Sequence, residues 1–350
     1  MSTLHPLTLP VGTGLRISCF GGTLRGMHTL FFSLLWLGSL ATAQSINVVV
    51  GESYDSVNSG VRTYGLWYSS AHPINDSTLP IAVFIHGGTW SGGTAYGLAD
   101  FAPSSCSFAN ANTVLCGLAA AGYAVYSINY TLVTSEPTTK WPAQWQDCDC
   151  FLKFLAEQAG VTVPGNPNRI YLFGHSAGAH LAGLVALAPH SAFATNCSHA
   201  STKYTIKAAA LFSPPLDLRT LWNGKAIQGG IAGLLGCTPS SFSTSACVRS
   251  AATANPDTYA GHGQVPILVE SGLGDAIVPY QYQGSLQSVY AGLNPAVNIP
   301  WKTLPSNFNH DLDLFYFNPC TADPEAPEPS PCGNAGTAYK NLVTFFAAHP

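Results

Sequence analysis

Charge is scarce in this chain: only 9% of its 350 residues are Asp, Glu, Lys or Arg, and the 13 Lys plus Arg are scattered. No basic stripe exists to follow a phosphate backbone, which argues against nucleic acid as a partner. Long hydrophobic runs are lacking too. The apolar stretch at residues 30–40 is interrupted by Ser33, Gly38 and Ser39, and it falls short of the roughly 20 residues that a spanning helix needs. Stable membrane insertion is therefore not expected. No Cys-x-x-Cys pair has a matching second half, so zinc is disfavoured. Nor does a low-complexity linker divide the chain, and residues 44–350 read as one domain.

What stands at the N-terminal end reads as a secretory signal. Met27-His28-Thr29 precedes the apolar stretch, and Ala41-Thr42-Ala43 before Gln44 has the small-x-small form that signal peptidase accepts. Cleavage after Ala43 is expected, with an uncleaved signal anchor as the alternative. Residues 1–26 do not resemble an ordinary n-region, which makes Met27 the expected working start. Of ten cysteines, Cys19 precedes this signal, leaving nine in the mature chain. Disulfides suit an exported protein, and Cys106 with Cys116, Cys237 with Cys247 and Cys320 with Cys332 are local candidates. An odd number leaves at least one thiol free or paired between chains. The sequons at Asn75, Asn129 and Asn196 are compatible with a glycoprotein.

Residues 79–86 and 122–130 read as buried strands flanking a helix over 113–121, and 141–160 as a helix with Pro142 at its start and Gly160 at its end. Further strands are expected over 206–213, 265–271 and 297–304, a last helix over 338–347, and an antiparallel hairpin within 45–70. Alternating strand and helix predicts an α/β fold, with a mostly parallel central sheet and helices on both faces. The Gly-, Ser- and Thr-rich segment 217–263 is expected to form a small cap over the site.

The chemistry centres on Gly174-His175-Ser176-Ala177-Gly178, which follows the apolar run 169–173 and leads into a small-residue helix. Strand, sharp turn and helix make a nucleophile elbow with Ser176 at its apex. A serine hydroxyl needs a base to take its proton and a third group to orient that base. Asp275, on a glycine-bearing turn after the strand 265–271, is the expected acid; Asp217 is its main competitor, and Glu270 lies too far inside the strand. His310, within Asn307-Phe308-Asn309-His310-Asp311 after the last strand, is the expected base. His262 precedes the acid's strand, His175 and His180 belong to the elbow, and His349 is terminal. For the oxyanion, the backbone N–H groups of Gly87 and Gly88, with that of Ala177, are the expected donors.

Taken together, His86-Gly87-Gly88-x-Trp90, Gly174-His175-Ser176-Ala177-Gly178-x-His180, the Asp275 loop and His310 resemble the hormone-sensitive-lipase-like branch of the α/β-hydrolases. That branch includes carbohydrate and feruloyl esterases and kynurenine formamidases. The resemblance covers roughly residues 80–345 and implies the α/β-hydrolase fold. Together with the expected export signal, it implies a secreted serine carboxylic-ester hydrolase that forms an acyl-enzyme on short acyl or aromatic esters, small or polysaccharide-linked, without metal or organic cofactor. Many members carry a third glycine where this chain has Thr89, so the loop is either tighter here or uses the threonine hydroxyl. Trp90 is open between walling the acyl pocket and packing in the core. Formamide or amide hydrolysis, a catalytically inactive binding protein and a lipase are the alternatives; the sequence offers no clearly amphipathic lid for the last.

Overall fold

A computed structural model describes residues 45–96, 106–107, 113–194, 196–238, 240–260, 265–282, 301–304, 310 and 337–350. The expected signal region and its expected cleavage site, His262, Cys320 and Cys332 lie outside the described residues. The described residues fall in one unit.

Nine strands among the described residues build one sheet in the order β4-β1-β2-β5-β3-β6-β7-β8-β9. They are β1 (Ser45–Ser53), β2 (Thr63–Ser69), β3 (Ile81–Ile85), β4 (Cys106–Ser107), β5 (Ala124–Ile128), β6 (Ile170–His175), β7 (Ile206–Phe212), β8 (Ile267–Gly272) and β9 (Trp301–Leu304). From β5 to β9 neighbouring strands run parallel, and β2, β1 and β4 extend the sheet antiparallel. Parallel strands covered on both faces are mostly apolar, and β3, β5, β6 and β8 are buried at every position, Ser127, His175, Glu270 and Ser271 included.

Alternate residues then feed two cores. Ile81, Val83 and Ile85 pack with α2 (Ala143–Gln158) and α3 (Ala177–Leu187) on one face. Ala82 and Phe84 pack with α1 (Val114–Ala120) and the final helix on the other. The hairpin and helices expected from the sequence are present, with α2 starting after Pro142 and ending at Gln158. The two-residue β4 was not foreseen; it pairs with β1 at Ile46 and is tied to α1 by the Cys106–Cys116 disulfide.

Cys237–Cys247 is likewise bridged, and a third disulfide, Cys150–Cys197, spans 47 residues to join α2 to the segment after α3. Cys148 remains a buried thiol. Near it, Arg62 is held inside the protein between Asp55 and Asp147, whose second oxygen accepts the Thr131 N–H at 2.7 Å. Burial pushes the Asp55 carboxyl up, but hydrogen bonds from Ser198 and Arg62 outweigh it and hold its pKa below the ordinary value.

The segment between β7 and β8 forms α4 (Leu218–Asn223), α5 (Gln228–Leu235) and α6 (Ser245–Thr253). These helices make the expected cap. The Cys237–Cys247 disulfide links the end of α5 to α6, and Trp222 stacks on Phe242 at 3.8 Å. On its inner side Leu234 accepts the Trp141 N–H at 2.8 Å. The last helix, α7 (Thr337–Ala347), closes the opposite face, and no helix among the described residues is long and apolar enough to cross a membrane.

Candidate active site

β6 ends at His175 and α3 begins at Ala177, leaving Ser176 alone at the apex with φ 55° and ψ −123°. That backbone is one a non-glycine residue adopts only when its surroundings enforce it. Ser176 donates its N–H to Phe212 O at 2.9 Å, and α3 is wholly buried, its Ala and Gly residues letting it lie close to the sheet. A serine at this position ordinarily turns its oxygen back to cap the helix. Ser176 makes no such bond. Its hydroxyl lies instead 2.8 Å from His310 Nε2.

His310 Nδ1 lies 2.8 Å from Asp275 Oδ2. The other oxygen of Asp275 accepts the N–H groups of Ile277 at 2.9 Å and Val278 at 2.8 Å. Burial pushes the Asp275 carboxyl up; the His310 hydrogen bond and charge, with the two backbone N–H groups, outweigh it and leave the pKa below its ordinary value. Ser176, His310 and Asp275 are thus one hydrogen-bonded chain. Asp217 is engaged elsewhere, capping α4 through the N–H groups of Arg219 and Thr220. Glu270 is buried in β8 and accepts a bond from Asn341.

The loop after β3 runs through the left-handed region at Gly88 (φ 109°), Thr89 (φ 49°) and Trp90 (φ 61°). Its own turn holds it, with Ser91 and Gly92 N–H both bonded to Gly88 O at 3.0 Å. A Cβ on Gly87 would fall 3.2 Å from Ser176 Cβ, so this loop borders Ser176. Among the described residues the N–H groups of Gly87, Gly88 and Ala177 have no hydrogen-bond partner. At Ala177 the positive end of α3 adds to that donor. Thr89 is half-buried, its Cβ where a side chain on Gly230 of α5 would meet it at 3.2 Å. Trp90 is fully buried and sits edge-on to His180, which is a packing position rather than an open pocket wall.

The sequence passes over His175 and His180 as the base, yet both rings, with that of His86, are buried around the site. Burial, then the proximity of His310, depresses the His175 pKa to about 3, and its ring lies 4.8 Å from that of His310. Burial depresses His86 and His180 to about 4. His86 stacks on Tyr130 at 4.4 Å and hydrogen-bonds Gly87 O at 2.7 Å, while the Tyr130 hydroxyl donates to His86 O at 2.9 Å. His86 stands in the His-Gly-Gly triplet, which signals its loop; nothing marks Tyr130 beyond its place after β5. No group of three His, Cys, Asp or Glu side chains among the described residues is arranged to hold a metal ion.

The BD-FAE family model matches residues 71–289, which takes in the Gly87-Gly88 loop, the Ser176 turn and the Asp275 turn. Among solved structures, a truncated carbohydrate esterase from gut microbiota superposes with a TM-score of 0.64 at 18% identity, over 88% of this chain and 98% of its own. Esterase B from Lactobacillus rhamnosis does so at 0.62 and 21%, over 87% and 86%. A thermophilic esterase from the Planctomycetes species Thermogutta terrifontis, with butyrate bound, does so at 0.59 and 19%, over 85% and 94%. At such identities these likenesses establish the α/β-hydrolase fold. Among curated proteins, none matches the sequence.

Proposed function

This chain belongs to the BD-FAE family, and on that footing we propose that it is an exported serine carboxylesterase. The observation that carries this reading is the unbroken chain Ser176 Oγ, His310 Nε2, His310 Nδ1, Asp275 Oδ2, with both links at 2.8 Å.

In the proposed reaction His310 Nε2 takes the Ser176 proton as Oγ attacks the ester carbonyl carbon. The carbonyl oxygen becomes an anion facing the N–H groups of Gly87, Gly88 and Ala177. Its charge develops only on the way to the tetrahedral intermediate, so donors fixed beforehand favour the transition state over the bound ester. Asp275, kept ionised by its partners, stabilises the imidazolium. The intermediate collapses, the C–O bond to the alcohol breaks, and His310 returns the proton to the leaving alkoxide. Water, deprotonated by His310, then attacks the acyl-serine; carboxylic acid is released and Ser176 is protonated again.

Short acyl or aromatic esters, free or on a polysaccharide, are the proposed substrates. The carbohydrate esterase and the butyrate-bound esterase of the same fold support that range. The three disulfides support export through an oxidising compartment. The test is hydrolysis of p-nitrophenyl acetate by wild type and by Ser176→Ala, followed by a panel of acetyl, butyryl, long-chain and feruloyl esters with N-formylkynurenine. Wild-type turnover that disappears in Ser176→Ala is expected; equal rates, or none from either, exclude the esterase. Preference for N-formylkynurenine would move the assignment to formamide hydrolysis.

A further inference from the structure

His180 lies four residues beyond Ser176, one turn along α3, and is completely buried. Its Nδ1 is 3.2 Å from Trp90 Nε1 and its Nε2 is 2.6 Å from the carbonyl oxygen of Ala254, the C-cap of α6. An indole N–H only donates and a carbonyl oxygen only accepts. Nδ1 must therefore be the bare nitrogen and Nε2 the protonated one, so both partners fix the same tautomer. Burial holds the ring neutral, with its pKa near 4.

What this ring holds at each end is unusual. Trp90 belongs to the loop bordering Ser176, and both Thr89 and Trp90 sit at positive φ, which costs on the order of 1 kcal/mol or more per non-glycine residue. Such a backbone persists only when contacts outside the turn enforce it. Among the described residues, two hydrogen bonds from outside the turn reach Trp90: Val133 N–H donates to its carbonyl at 2.8 Å, and the indole N–H donates to His180. Ala254 belongs to the cap, where its carbonyl lies at the unsatisfied end of a helix. A single imidazole thus spans from the oxyanion loop to the cap.

We propose that His180 is a positioning residue of the oxyanion hole: anchored on the cap carbonyl of Ala254, it holds Trp90, and through Trp90 the Gly87-Gly88 turn, in the conformation that receives the transition-state anion. This rests on the esterase reading above. The ring touches no reacting atom, and its effect passes through the backbone of residues 87–90.

The test compares wild type, Ser176→Ala, Trp90→Phe, His180→Leu and His180→Asn on p-nitrophenyl acetate, with thermal melts and binding of a trifluoromethyl ketone that forms a hemiketal oxyanion on the serine. In Trp90→Phe and His180→Leu, kcat is expected to fall about 10- to 100-fold, less than loss of an oxyanion donor outright. KM should stay within about 2-fold, because the ground-state ester makes little use of the hole. Ketone affinity should fall in step with kcat. His180→Asn keeps an acceptor for the indole and should recover part of the loss. Folded Trp90→Phe with wild-type kcat and ketone affinity overturns the proposal, even if His180→Leu does not fold; so does His180→Asn no better than a folded His180→Leu. A wild-type rate no higher than that of Ser176→Ala instead overturns the esterase reading, and this proposal with it.

Discussion

Gly178 packs so tightly on the end of β3 that a Cβ there would lie 1.9 Å from the carbonyl oxygen of Ile85. The helix after Ser176 and the strand before Gly87 thus meet backbone to backbone, and Gly87 lies against His175 and Ser176. Gly178→Ala is expected to force them apart, at about 3 kcal/mol or more. Its melting temperature and kcat should fall together. A variant with wild-type stability and rate would show that the close approach is not needed.

Two aspartates competed for one role, and the structure separates their surroundings. Asp275→Asn leaves the shape intact but no longer supplies the charge that stabilises imidazolium, and kcat should drop about 10³- to 10⁴-fold. Asp217→Ala removes the α4 cap instead and should cost about 1 kcal/mol of stability. Steady-state rates and urea midpoints on both variants check the assignment.

Three buried neutral histidines make acid the weak point of the fold. The pKa values of His86 and His180 near 4, and of His175 near 3, lie below the 6.5 of an exposed ring, so the unfolded chain takes up protons first. Stability is complete above about pH 6.5 and declines toward pH 4, each ring contributing about 1.4 kcal/mol per pH unit at full slope. Urea unfolding at pH 7, 6 and 5 should show uptake approaching three protons. An uptake below one would mean that these rings titrate normally in the folded protein.

Arg62 neutralises two carboxylates inside the protein. Arg62→Met keeps much of the side-chain volume but strands both charges, and a loss of about 3 to 5 kcal/mol is expected in chemical denaturation. Unfolding at the wild-type midpoint would show that water reaches the pair.

The sequons differ in what their amides do. Asn75 is exposed, whereas the Asn129 side chain accepts from Ala95 N–H at 2.6 Å and donates to Thr63 Oγ1 at 2.9 Å. A glycan on Asn129 would break that arrangement. Peptide mass spectrometry of protein exported by a glycosylating host should find sugar at Asn75 and none at Asn129.

Most of this architecture is legible in the sequence because it is local. An apolar run of five or six residues is a strand buried on both faces, and Gly174-His175-Ser176-Ala177-Gly178 writes strand, turn and helix into five consecutive positions. The disulfide pairs ten residues apart were visible for the same reason. Cys150–Cys197 was not, since its separation of 47 residues is set by how α2 packs. Nor did composition disclose that Thr89 and Trp90 would adopt backbone angles normally left to glycine. Trp90 itself was open between pocket and core because its destination depends on His180, a residue 90 positions away.

The cap leaves the sheet after Phe212, at the carboxyl end of β7, and the chain re-enters at Ile267 of β8, which pairs with Ala209. Both ends are thus tied to neighbouring parallel strands, and the helices between them can be exchanged for others without disturbing the strand order. Evolution thus has a replaceable part above a constant one. Any successor must still present a hydrogen-bond acceptor where Ala254 now offers its carbonyl to His180, so the freedom to change what the enzyme recognises carries one fixed condition.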